Sequence, residues 1–123
     1  MQEGFVDDPD SDFLVPSLAV DANWNVGLGC TRASAKEFPS AYVMVRDARD
    51  PPNTMRPAAL GAKGTAVFAG SRESKYGLPW GNYNSTCVDP SDPTVMWMSL
   101  GAQTQPVMGA SNPATLRSGR SGR

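Results

Sequence analysis

The sequence predicts an all-β chain of short strands, and three observations carry that prediction. No window of about 11 residues or more keeps a helical period, whereas period-two alternation recurs along the chain. Glycine and proline are frequent, 12 and 11 of 123 residues, which suits many turns between short strands. A strand-turn-strand phrase occurs twice. It runs from Ser17 to Gly29 (SLAVDANWNVGLG) and again from Ser85 to Trp97 (STCVDPSDPTVMW). In each copy a small residue and a valine lead into an aspartate, then a polar turn, then alternating apolar residues. Such a recurrence points to a repeat architecture, in which each unit buries its apolar face against a neighbour.

The elements follow in order. Residues 1–12 form an acidic N-terminal loop. From Phe13 to Val20 the pattern turns apolar, with Pro16 marking an irregular start or an edge strand. Asp21 to Asn25 is a turn cluster. Val26, Leu28 and Cys30 then alternate with glycines, the mark of a strand with one buried face; its glycine face is flat enough for a second sheet to approach closely. Thr31 to Pro39 reads as a polar connecting loop. Ala41 to Arg46 is the clearest strand, and Asp50-Pro51-Pro52-Asn53 ends it, because consecutive prolines can neither donate to a ladder nor sit inside a helix. Residues 54–64 are weakly patterned, Thr65 to Ala69 is a short candidate strand, and Gly70 to Pro79 a polar loop. Trp80 to Val88 and Thr94 to Leu100 flank the second turn. Residues 13–100 thus make the structured part, about two units of short antiparallel strands, and residues 101–123 a flexible Gly/Ser/Arg tail.

Bulk properties exclude several function classes. The net charge of −1 gives no overall field for nucleic acid or an acidic membrane. Charge is segregated, though: Glu3, Asp7, Asp8, Asp10 and Asp12 crowd one end, and Arg117, Arg120 and Arg123 the other. Both read as solvated termini. No apolar run approaches the roughly 18 residues of a membrane span, and the acidic start is the wrong shape for a signal peptide. Cys30 and Cys87 permit one disulfide and require none. They stand at similar places in the two hairpins and are expected to be buried free thiols.

Several phrases resemble bacterial sialidase-like β-propeller repeat proteins. Thr31-Arg32-Ala33-Ser34 followed by Phe38-Pro39-Ser40-Ala41-Tyr42 is similar to a strand ending "TRSS" that leads to "YPSAY". Asp50-Pro51-Pro52-Asn53-Thr54-Met55 resembles "DPPGTM", Trp80-Gly81-Asn82-Tyr83 resembles "WGDY", and Val88-Asp89-Pro90-Ser91-Asp92 resembles "VDPSD". The phrases fall in the family's order over roughly residues 12–100. The resemblance implies a propeller of four-stranded blades in a secreted or cell-surface bacterial protein. This chain would supply about two blades from the C-terminal portion. Asn82 stands in place of an aspartate, Pro79 in place of an arginine, and Cys30 where an aromatic residue is usual. The Asp-box turn motif is missing.

The chemistry-bearing residues are sparse. Sialidase hydrolysis uses a tyrosine nucleophile, and arginines suit a substrate carboxylate. The residue types are present as Arg32, Arg46, Arg72, Tyr42, Tyr76, Tyr83, Glu37 and Glu73, but no spacing ties them into a constellation. No catalytic residue is therefore assigned. Arg32, Trp80, Asn82 and Tyr83 are candidate ligand-binding residues. For Arg32 the competing reading is a pair with an acidic neighbour; for Trp80 to Tyr83 it is aromatic packing at a structural corner. With no histidine and two distant cysteines zinc is not expected. Asp8-Pro9-Asp10-Ser11-Asp12 opens like a calcium loop yet lacks its glycine and closing glutamate. No cofactor is expected. Asn84-Ser85-Thr86 is a sequon on a strand, and is read as incidental.

The expected function is that of a non-catalytic fragment of an extracellular propeller repeat protein, a scaffold for a carbohydrate or protein partner that self-associates through open sheet edges. The alternatives are the C-terminal piece of a sialidase-type glycoside hydrolase (an exo-alpha-sialidase) and a small standalone sandwich that binds protein.

Overall fold

A computed structural model describes residues 2–68 and 83–104. The described chain is all-β, with six strands and no helix. They are β1 (Asp12–Val20), β2 (Val26–Ser34), β3 (Glu37–Arg46), β4 (Ala59–Ala62), β5 (Ser85–Val88) and β6 (Met96–Ser99). The first four form one antiparallel sheet in sequential order, and β5 and β6 form a second, two-stranded sheet.

β1 is an edge strand, as Pro16 anticipates. Its register shifts between Leu14 and Ser17, where Val15 adopts a φ of 45°. A β-branched residue in that region is strained, and the bulge spares the ladder the donor that proline lacks. The turn from β1 to β2 is organised by Asp21. Its Oδ1 accepts hydrogen bonds from the backbone of Asn23 and Asn25, both at 2.8 Å, and its Oδ2 accepts one from Asn25 Nδ2 at 2.8 Å.

The polar loop expected over Thr31 to Pro39 is instead a tight hairpin. β2 continues to Ser34 and β3 begins at Glu37, leaving Ala35 and Lys36 as the turn. Thr31, Arg32 and Ser34 look like loop residues in sequence, but their polar groups are satisfied in the fold: Arg32 by Glu37 and Tyr42 across the ladder, Thr31 by the Gly101 carbonyl, and Ser34 by the turn N–H of Lys36. The strand expected near Thr65 lies earlier, at Ala59–Ala62, where all four residues are exposed and no alternation marks them. Thr65 and Ala66 donate to the carbonyl of Gln103 instead.

The sheet has two unlike faces. On one, Cys30, Tyr42 and Met44 form the buried core, flanked by Phe13, Leu28, Met55 and Ala58. The opposite face carries Gly27 and Gly29, and the β5–β6 hairpin lies against it. A Cβ at Gly29 would stand 2.6 Å from Leu100 Cδ2, and one at Gly27 would stand 2.8 Å from Met98 Cε. At Gly29 the approach is close enough to require glycine, whereas at Gly27 the nearest atoms are the flexible ends of methionines. Thr86 fastens it, its backbone N–H donating to Ser17 Oγ at 2.8 Å and its hydroxyl to Ser17 O at 3.0 Å.

Both described cysteines are free, but only Cys30 is buried; Cys87 is exposed. The reason is register. Cys30 lies in the second strand of its hairpin on the core face, whereas Cys87 lies in the first strand of the other hairpin, opposite Trp97 on its outer face. The two positions are not equivalent. The 101–123 tail lies outside the described residues beyond Thr104.

Candidate functional site

Two features of the core face carry polar groups. The first sits where β2 meets β3. Register places Arg32 opposite Ser40 and Ser34 opposite Glu37, so Arg32, Glu37 and Tyr42 converge at the hairpin end. Arg32 Nε donates to Glu37 Oε2 at 2.8 Å, Arg32 Nη2 donates to Tyr42 Oη at 2.5 Å, and Tyr42 Oη donates to Glu37 Oε1 at 2.5 Å. The Arg32 guanidinium also lies 3.9 Å from the centroid of the Tyr42 ring, with Asp8 at 3.9 Å on its far side. Stacking and charge-assisted hydrogen bonds reinforce one another here.

The electrostatics define what this triad can do. Burial works against ionisation of Glu37, but the hydrogen bonds from Arg32 and Tyr42 outweigh it and hold the carboxyl below its ordinary range. Burial first, and then the bond to Glu37, push the Tyr42 phenol up. Tyr42 is 6% exposed. A tyrosine nucleophile needs the opposite: an accessible oxygen and a stabilised phenolate. The triad closes a hairpin and leaves no group free to attack.

The second feature is a cleft of about 560 Å³ over the same face. Leu18 and Val20 of β1 and Val26 and Leu28 of β2 form its floor, and Trp24 and Met55 stand at its sides. Leu18 is 60% exposed and Trp24 76% exposed, so a large apolar surface is open. Two charged residues line the cleft, Glu3 and Arg46; Arg46 lies directly across from Val26 in the ladder and is only 8% exposed. Its Nη2 donates to the Asp50 carbonyl at 2.9 Å, while its Nε is enclosed with no hydrogen-bond partner.

Of the residues singled out in sequence, Arg32 is engaged by Glu37, Tyr42 and Asp8, the pairing that competed with a ligand role. Tyr83 is 93% exposed, away from both features. Trp80 and Asn82 lie outside the described residues, as do Arg72, Glu73 and Tyr76. The structure therefore brings together Arg32, Tyr42 and Glu37 but does not join Tyr83 to them. The Asp8 carboxylate accepts from the backbone of Asp10 at 2.9 Å, and no group of three metal-ligating side chains occurs among the described residues. Asn84 Nδ2 donates to Val15 O at 3.0 Å, so the sequon's nitrogen is engaged in the fold. Sequence reasoning missed the Arg46 cleft. Its signal was the spacing Tyr42-Met44-Arg46, which places the arginine on the core face of an otherwise apolar strand. No protein-family model matches the chain, and neither curated proteins nor solved structures return a match.

Proposed function

We propose that this chain is a non-catalytic segment of an extracellular sialidase-like β-propeller repeat protein, whose role is to present a scaffold to a glycan or protein partner. One observation supports the reading above the rest. The second copy of the repeated phrase folds into a hairpin that stacks on the flat glycine face of the sheet built from the first copy. The two aspartates act alike: Asp89 Oδ1 accepts from the backbone of Ser91 and Asp92 at 2.7 and 3.2 Å, as Asp21 Oδ1 does from Asn23 and Asn25. Stacking of like units through sheet faces is the logic of repeat proteins, and a four-stranded sequential meander is the blade of a propeller.

The open surfaces agree with this. The outer face of β5–β6 exposes Cys87 and Trp97, and the far face of the four-stranded sheet exposes Leu18, Val20 and Trp24. The described chain covers that far face over Cys30, Tyr42 and Met44 and leaves Leu18, Val20 and Trp24 open. The buried, raised phenol of Tyr42 gives no support to the hydrolase alternative.

The test is calorimetry of the purified chain combined with light scattering. A broad transition, with mass rising with concentration, is the expected result. A sharp monomeric transition, with calorimetric and van't Hoff enthalpies equal, would show a core closed within one chain and would sink the repeat reading.

A further inference from the structure

We infer that the Arg46 cleft is a binding site for an amphipathic monocarboxylate, the guanidinium taking the carboxylate and the β1–β2 face taking the apolar body.

The inference starts from a local charge count. Arg46, Arg49 and Arg56 share two neighbouring carboxylates, those of Asp47 and Asp50. Asp50 is taken by Arg56, through bonds of 2.7 and 3.0 Å. Asp47 is taken by Arg49, through bonds of 2.9 and 3.2 Å. Arg46 is left with a backbone carbonyl, and Glu3 on the cleft wall makes no ion pair with it. A guanidinium nine-tenths buried with one neutral acceptor is costly, since buried charges are ordinarily paired and fully hydrogen-bonded. The missing partner is an anion.

The surroundings select its class. A guanidinium pairs with a carboxylate through charge-assisted bonds, and with Nε enclosed and Nη2 already donating to the Asp50 carbonyl, the remaining Nη hydrogens are the ones left to meet it. Around it the floor is Leu18, Val20, Val26 and Leu28, an apolar surface suited to a hydrocarbon body, with the polar side chains of Gln2, Glu3, Asn53 and Thr54 elsewhere in the lining. The volume of about 560 Å³ falls within the roughly 300–1,000 Å³ of small-molecule pockets. A single charge joined to an apolar chain or ring satisfies both parts. The inference does not rest on the repeat reading, but it uses the Leu18, Val20 and Trp24 face that the repeat reading leaves for a neighbouring unit, so it requires that face free in this chain. A second copy seated on the same face is a different occupant, and the experiment separates the two.

The probe is octanoate, titrated calorimetrically into the full chain below its micellar concentration, with 1-octanol as the neutral isostere followed by chemical-shift perturbation. One octanoate is expected per chain, bound about tenfold or more tightly than the alcohol, the factor appropriate to a charge-assisted pair. Arg46→Met should abolish that preference and leave the affinity for 1-octanol unchanged. If Arg46→Met does not fold, the wild-type comparison decides, together with the Arg46 guanidinium Nη–H resonances, which must move with octanoate and not with the alcohol. Equal affinities, a preference that survives Arg46→Met, non-saturating uptake, or a dimer that occludes the face would each overturn the inference.

Discussion

Replacing Gly29 by alanine tests whether the second hairpin is seated as described. The added Cβ would meet three atoms of one side chain: Leu100 Cδ2 at 2.6 Å, Cδ1 at 3.0 Å and Cγ at 3.3 Å. Because Cγ is among them, χ2 rotation alone does not clear the clash; the leucine must change its χ1 rotamer or the hairpin must shift. Overpacking of this kind costs about 1–3 kcal/mol, offset by about 0.5–1 kcal/mol from the stiffer alanine backbone. The net loss is about 1–2 kcal/mol, or about a 5–30-fold change in a local equilibrium. Native-state hydrogen exchange reads it directly. Protection of the β5–β6 amides should fall by that factor while the central β2–β3 ladder keeps its protection. Gly27→Ala is the matched control, since the atoms nearest its Cβ are Met98 Cε, Met96 Sδ and Met96 Cε, the mobile ends of adaptable side chains. It should stay within about 0.5 kcal/mol of the parent. Adding Leu100→Ala to Gly29→Ala should restore much of the loss. If Gly29→Ala left β5–β6 protection unchanged, the hairpin would not lie on that face, and the stacking argument would fail.

Three further outcomes follow from the same geometry. Tyr42→Phe removes the hydroxyl shared by Arg32 and Glu37 and should destabilise the chain by about 1–2 kcal/mol, read by exchange at the β2–β3 hairpin end; no loss would mean the triad is ornamental. At Asp21, burial opposes ionisation but the bonds from Asn25 and Asn23 prevail, so its pKa in the folded chain lies below the ordinary 3.8. Its contribution to stability is therefore present above that value and lost as pH falls through the folded pKa; Asp21→Asn should flatten the acid limb of a stability-pH profile, and an unaltered limb would refute the assignment. Finally, a thiol reagent should label Cys87 at once and Cys30 only on unfolding, because Cys30 is enclosed and burial pushes its pKa up. Equal labelling rates would contradict the register of β5.

Local signals were legible wherever they were self-contained. The turn at Asp21, the edge character of β1 at Pro16, the end of β3 before Pro51-Pro52 and the flat glycine face of β2 all depend on residues close in sequence. The hairpin turn at Ala35-Lys36 was not legible, because Arg32 and Thr31 beside it are satisfied by partners far along the chain or across the ladder, Glu37, Tyr42 and Gly101. β4 was missed for a related reason: it is exposed throughout and pairs with β3 without a patterned face.

The candidate sites divide in the same way. Arg32, Glu37 and Tyr42 were each noticed as residue types, but a register of paired strands was needed to bring them within 2.5–2.8 Å. Sequence by itself determined an all-β chain with a repeated strand-turn-strand unit, since alternation and turn chemistry are local properties of the backbone and its immediate side chains. Tertiary structure decided which faces meet, which cysteine is enclosed and which arginine lacks a carboxylate. Those depend on distances between residues far apart in the chain. Arg46 shows the difference: it has two aspartates within four positions in sequence, and both are bound to other arginines once the chain is folded.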